Sequence, residues 1–384
     1  MGKQRFSFGG CAPKRTRGVD MVLYVMITVL TVSAACFVNR AAAGKHRGFM
    51  PENRQEALNR ILLAGIFMTL FAVSALRIGI GNDYWTYRYN FLHILSGDTK
   101  VAYEIGFQWL VRALQTLFGY DNYRVVFAFM AFVTCALFLK GLYDNSDWFA
   151  MSFFLFMANG FYFMSFTNVR YYFAISVCLY AMKYLFQKDF VRFVLWILLA
   201  SLVHKSVLLT IPVFLAAFYL KWNRKTLWLI PAVCGILALG KEGVRRLVFF
   251  FYPYYEGDLI LDVESVSYVN IAKCLAVLIF ALLFYKRAIQ GNPRAETLFN
   301  LNLFSLIIYS FGFYIPETSR VCYYMAAGNV FLIPVILRSM QNRKQRAFFT
   351  GAVAVCYAAY FMVFLVRSRA STIQLLPYLT WLFD

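Results

Sequence analysis

Residues 19–38 read VDMVLYVMITVLTVSAACFV, a run of 20 positions with a single charge, Asp20. A helix of that length rises about 30 Å, the thickness of a bilayer's hydrocarbon core. No polar stripe recurs along it at helical spacing, so lipid rather than water is its solvent. Backbone amides in lipid must bond within their own segment, and the run is too long and too evenly apolar for a barrel strand. It reads as a membrane-crossing helix.

Comparable blocks follow at Leu62–Leu76, 124–140, 147–166, 168–186, 190–204, 206–220, 226–240, 268–286, 297–315, 320–338 and 347–366. The pattern predicts an all-α polytopic integral membrane protein of about 12 transmembrane helices. The chain as a whole is 61% hydrophobic and 15% charged, with a mean hydropathy of +0.61. A soluble domain carries about 25% charged residues, so that class is excluded. The net charge of +20 comes from short basic clusters between the blocks, where arginine and lysine meet anionic head groups. No nucleic-acid module is legible. The eight cysteines are scattered, with no metal or redox spacing.

The organisation expected is a basic tail over 1–18 and one polytopic membrane domain over 19–384, with the segment 77–121 and the loop 241–267 on the extracytoplasmic side. Tail and first block resemble a long signal peptide, with Ala41-Ala42-Ala43 as the cleavage region; a retained first span is the expectation. Within 77–121, Tyr103–Phe118 sets Ile105, Trp109 and Leu110 against Glu104, Gln108, Arg112 and Gln115. This pattern predicts an amphipathic helix lying on the membrane surface. The paired blocks around His204 read as two close-spaced helices or one broken helix.

With the linker 40–60 cytoplasmic, alternation brings Arg77, Asp83, Arg170, His204, Lys205, Glu317 and Arg320 to one extracytoplasmic face. The positive-inside rule supports this orientation only weakly, because the basic N-terminus falls on the same outer side. Ionisable groups within or beside spans are costly and mark function by default. Guanidinium groups hold phosphate oxygens bidentately, so Arg77, Arg170 and Arg320 point to a phosphate-bearing substrate at the membrane, which means a lipid-linked one. Asp83 or His204 is the candidate base. Lys205, Glu317, Glu104, Tyr84 and Tyr87 complete the expected substrate contacts. No Asp-x-Asp or His/Cys ligand cluster lies on that face, so no metal is expected.

Six short motifs recur in order: Arg77-x-x-x-Gly81-x-Asp83-Tyr84-x-x-Tyr87, Tyr103-Glu104-x-Gly106-Phe107, Asn168-x-Arg170, His204-Lys205-Ser206 followed by Pro212, Arg320-x-x-Tyr323-Tyr324, and Pro377-Tyr378. Over roughly residues 20–380 this ordered set resembles the EpsG family, Wzy-like polymerases of bacterial exopolysaccharide and capsule. The chain departs from the family in its long basic tail and in an Asn-x-Arg-Tyr where the family often has Arg-Gln. The resemblance implies a GT-C-like glycosyltransferase in the bacterial cytoplasmic membrane. Such an enzyme joins undecaprenyl-pyrophosphate-linked oligosaccharide repeats into exopolysaccharide, capsule or O-antigen. It implies no cofactor, and partners that include membrane lipid, a chain-length regulator and a flippase. Two other readings fit the charges: a transporter or flippase of lipid-linked sugars, and a membrane acyltransferase. A transporter would show internal repeats with a midplane site, and none is legible. An acyltransferase would pair a histidine with an acid, and His204 has no acidic sequence neighbour.

Overall fold

The computed structural model describes residues 19–40, 53–95, 103–119, 122–243, 246, 267–312, 318–370 and 373–383. The basic tail 1–18, the Ala41–Ala43 region, Glu317 and most of the loop 241–267 lie outside the described residues.

Every apolar block is helical. In chain order the helices are α1 Val19–Cys36, α2 Arg54–Ala75, α3 Tyr84–Leu95, α4 Ile105–Phe118, α5 Tyr123–Asn145, α6 Phe149–Ala158, α7 Phe161–Met164, α8 Val169–Phe186 and α9 Phe190–Ser201. A 3-10 turn, Lys205–Leu209, leads into α10 Thr210–Tyr219. Then come α11 Leu229–Leu239, α12 Tyr268–Leu283, α13 Pro293–Ser310, α14 Thr318–Ala326, α15 Asn329–Ser339 and α16 Arg343–Ala370. Among the described residues there is no strand, only an isolated antiparallel bridge between Arg77 and Thr380.

Arg54–Ala75, Tyr123–Asn145, Thr318–Ser339 and Arg343–Arg369 are long and apolar enough to cross a membrane, and six shorter apolar helices accompany them. This is an all-helical, polytopic membrane protein. Two blocks expected as single spans are broken: 147–166 at Gly160, which has a φ of 77°, and 320–338 between α14 and α15. The blocks flanking His204 form two short helices, one of the two arrangements expected for them.

The bundle has two chemically distinct ends. At one, Asp144 pairs with Lys140 (2.8 Å) and Lys183 (3.0 Å). The Arg40 guanidinium there donates to the carbonyl of Tyr143 (2.9 Å). Arg294 pairs with Asp147 (2.8 Å) and Lys221 with Glu296. These contacts tie α1, α5, α8 and α13 together where they turn. The opposite end gathers the α2–α3 link, the starts of α4, α5, α8 and α14, the α9–α10 link and the C-terminal tail.

The segment 77–121 differs from expectation. It holds two helices, α3 as well as α4, and α4 buries Phe107, Val111, Leu114 and Gln115 rather than the face read from the sequence. Ile105 (70% exposed) and Trp109 (68%) instead form an outer stripe with Leu117 (75%). The helix is apolar on two sides because α3 and α5 pack on one of them. Gln115 is wholly buried, so its amide belongs to the core and not to a solvated face.

A candidate active site where four motifs meet

Gly106 sets the site's geometry. A Cβ there would stand 2.6 Å from Leu202 Cβ and 2.7 Å from Leu202 O. Only glycine lets the start of α4 sit directly on the α9–α10 link, and the Phe107 N–H donates to that same carbonyl (3.0 Å). This seating carries Glu104 to the first amide of the 3-10 turn, where the Lys205 N–H donates to Oε1 (3.1 Å). The other carboxylate oxygen, Oε2, accepts from Arg170 Nη1 on the first turn of α8. The guanidinium also lies over the rings of Tyr103 (4.0 Å) and Phe107 (5.6 Å). Both side chains of this ion pair are largely buried, so each would be costly without the other.

His204 stands beside the pair, its Nδ1 3.6 Å from Glu104 Oε1, and neither ring nitrogen has a hydrogen-bond partner among the described residues. It lies in the link between α9 and the 3-10 turn, outside both. Burial, then the positive charges of Arg170, Arg320 and Lys205, push its pKa down to about 3. The imidazole is therefore neutral at physiological pH.

The fourth motif joins through tyrosines. Tyr171 OH donates to the carbonyl of Arg320 (2.7 Å), and its ring packs edge-on against Tyr324 (5.3 Å) and His204 (5.6 Å). Ser206 Oγ and Tyr324 OH are 3.1 Å apart. An open cleft of about 430 Å³ begins at this cluster, lined by Tyr103, Glu104, Ile105, Ser201, Leu202 and Lys205.

Two expected substrate contacts sit elsewhere. Arg77 is 3% exposed; it lies between the rings of Phe127 (5.3 Å) and Phe166 (4.9 Å), and Nη1 donates to Ser74 Oγ (3.1 Å). It points into the bundle because the α2–α3 link is clamped from outside by the C-terminal tail. There Ile78 N–H donates to Leu379 O (2.9 Å), Gly81 N–H to Gln374 O (3.0 Å) and Trp381 N–H to Leu76 O (3.2 Å). The Pro377-Tyr378 motif is part of this clamp, with Tyr378 OH donating to Val73 O (2.9 Å). Tyr84 is buried and stacked on Phe127 (4.6 Å); Tyr87, by contrast, is buried under Tyr103 and meets Arg170, which makes it part of the cluster. Arg77 and Tyr84 support the site from beneath. Asp83 is half-buried, within electrostatic reach of Tyr87 and Tyr103. Tyr103, Tyr171, Ser206 and Tyr324 also belong to the site. Tyr103, Ser206 and Tyr324 stand in the sequence motifs but were given no role there, and the one signal for Tyr171 is its adjacency to Arg170.

The chain matches the sequence model of the EpsG family over residues 60–380, most of its length. The chain belongs to the EpsG family. No curated protein and no solved structure matches it. Within this EpsG-family chain the matched region contains every residue of the cluster, from Tyr103 to Tyr324, and the tail clamp up to Thr380.

Proposed function

We propose that this protein polymerises lipid-linked oligosaccharide repeat units at the outer face of a bacterial cytoplasmic membrane, as a GT-C-like enzyme with about 12 spans. The observation that carries the reading is the direct contact of Glu104, Arg170, His204 and Lys205, with the Arg320 segment attached, around an open cleft at one end of an EpsG-family bundle. Labelling of cysteines introduced at Asn82 and Asn342, both exposed, tests the orientation. Asn82→Cys is expected to react in intact cells and Asn342→Cys only after permeabilisation, and the reverse result would overturn the outward-facing site.

In this reading Lys205 and Arg320 take the pyrophosphate of the donor, while Arg170 holds Glu104 in place. The acceptor hydroxyl oxygen forms a bond to the donor's anomeric carbon. The bond from that carbon to the phosphate oxygen breaks, its electron pair leaves on the lipid pyrophosphate, and the hydroxyl proton passes to His204 Nε2. Glu104, 3.6 Å from Nδ1, stabilises the imidazolium that forms. Cations stabilise the leaving oxygen as charge builds there, which is where catalysis gains. The bound pyrophosphate also offsets the positive charges that depress His204, raising its basicity only when substrate is present. Asp83 is then an orienting carboxylate.

The test is complementation of a deletion strain. The deletion is expected to leave single repeat units on the carrier lipid and no long polymer. Arg170→Lys should keep the charge but lose the planar guanidinium that reaches Glu104 while lying over Tyr103, and with it the contact to the carboxylate. One charge-assisted contact is worth about 1.5–3 kcal/mol and about 1.4 kcal/mol is tenfold, so polymer per folded protein should fall at least about tenfold. Wild-type yield from Arg170→Lys would remove this residue from the site. Lipid-linked units held on the cytoplasmic leaflet would favour a flippase.

The 3.6 Å approach of Glu104 to His204 also supplies the acid that acyl transfer requires. Under that second reading the deletion strain makes polymer of normal length that lacks its acyl groups.

A further inference from the structure

Lys273 lies in the second turn of α12, inside an apolar run, and no carboxylate pairs with it among the described residues. Its ammonium donates to Tyr360 OH (3.1 Å) and lies over that ring (4.4 Å). An ammonium held at membrane depth without a counter-charge is costly and marks a ligand pathway more often than a structural role.

Two spaces meet at this residue. The first is a small polar cavity of about 30 Å³, whose lining includes Asn270, Lys273, Tyr309, Tyr323 and Asn329. Tyr309 is 2% exposed, and neither its hydroxyl nor Asn329 Oδ1 has a hydrogen-bond partner among the described residues. Buried polar atoms are rarely left unpaired, so this cavity is built to receive a polar group.

The second is a cleft of about 260 Å³ between α12, α15 and α16, lined below Lys273 by Val277, Phe280, Ile333, Ala352 and Val353. Its order along the membrane is consistent on both flanking helices. Lys273 and Tyr360 sit at the end nearer the candidate active site, and Phe280 and Ala352 lie about two turns farther in. Seven residues of helix span about 10 Å, so the cleft runs along the bilayer normal. Helix α16 has only 11% of its apolar window buried, which leaves this side open to lipid.

The geometry points to a binding site for an anionic lipid, with a phosphate head group on Lys273 and a single hydrocarbon chain in the cleft below. The cation selects the head group, and the polar cavity behind it supplies a donor from the Tyr309 hydroxyl. The apolar walls align the chain along the bilayer normal. The site draws on α12, α13, α14, α15 and α16, and neither Glu104 nor Arg170 lines it. It stands whichever reaction that cluster performs.

Cys356, exposed on the cleft wall, provides a native reporter, with the exposed Cys36 as internal control. Purified full-length protein in neutral detergent is alkylated with N-ethylmaleimide and read by peptide mass spectrometry. Farnesyl phosphate is expected to protect Cys356 and not Cys36, saturably. Farnesol or inorganic phosphate at the same concentration should protect weakly. Lys273→Met, close in length and without charge, should raise the half-protecting concentration at least about tenfold, as expected for loss of one charged contact. Ala352→Trp fills the cleft from its outer face while leaving Lys273 in place, and should abolish protection even if Lys273→Met does not fold. Equal protection by farnesol would overturn the head-group assignment, and equal protection by inorganic phosphate would overturn the lipid. Unchanged protection in Lys273→Met or Ala352→Trp would overturn the site.

Discussion

Glu104→Ala is expected to abolish polymer formation, with at least about a hundredfold loss per folded protein, and to destabilise the fold as well. The carboxylate serves three neighbours: Arg170, the Lys205 amide and, at 3.6 Å, His204. Its removal leaves a largely buried guanidinium with no anion, and breaking a buried pair by one partner costs about 3–5 kcal/mol. Removing both charges separates structure from chemistry. A Glu104→Leu, Arg170→Met double variant replaces the pair with apolar volume and should recover most of the thermal stability, while polymer remains absent. Thermal unfolding of detergent-purified variants, together with polymer length in the deletion strain, reads both effects. Wild-type polymer from Glu104→Ala would show that the junction is architectural only.

Gly81→Ala should cost at least about 3 kcal/mol, the range expected for a left-handed conformation combined with steric overlap. Gly81 has a φ of +95°, and a Cβ there would stand 2.4 Å from Phe166 O and 2.8 Å from its carbonyl carbon. Neither partner is a flexible side chain, so the backbone itself must move. The strand of chain it would push, 166–168, leads directly into Arg170. The tail clamp at Gln374 and Ile373 holds the loop from the other side and leaves it no room to retreat. The expected result is low abundance of folded protein and, in whatever folds, a displaced Arg170 and reduced polymer. Gly65→Ala on α2 is the control. Nothing lies within 4 Å of its added methyl, and alanine in a helix interior favours the fold by roughly 1 kcal/mol. A normal melting temperature for Gly81→Ala would contradict this account of the loop.

Helix content and membrane residence were legible because hydropathy acts residue by residue. A run such as 19–38 has no low-energy state in water, whatever its neighbours do. The same local logic marked Arg170 as out of place in an apolar run and His204 as the centre of a break. In the segment 77–121 it found only one of the two apolar faces of α4. Ile105 and Trp109 stand exposed, while Phe107, Val111 and Leu114 are buried; which face meets other helices depends on what stands opposite, and composition does not record that.

The sequence by itself determined the solvent, the helices and the candidate residue types. Pairing was decided by tertiary structure alone. Glu104 and Arg170 are 66 positions apart, and they meet because Gly106 admits α4 to within backbone contact of Leu202. Arg77 carries the same guanidinium as Arg170 and stands at a similar span end, yet the C-terminal tail closes over its loop and turns it between two phenylalanine rings. Lys273 escaped notice because one lysine in an apolar helix is unremarkable until the helices around it show that no carboxylate answers it. Charge is written in the chain, but its partner and its exposure depend on which helices lie beside it, and long-range packing sets those.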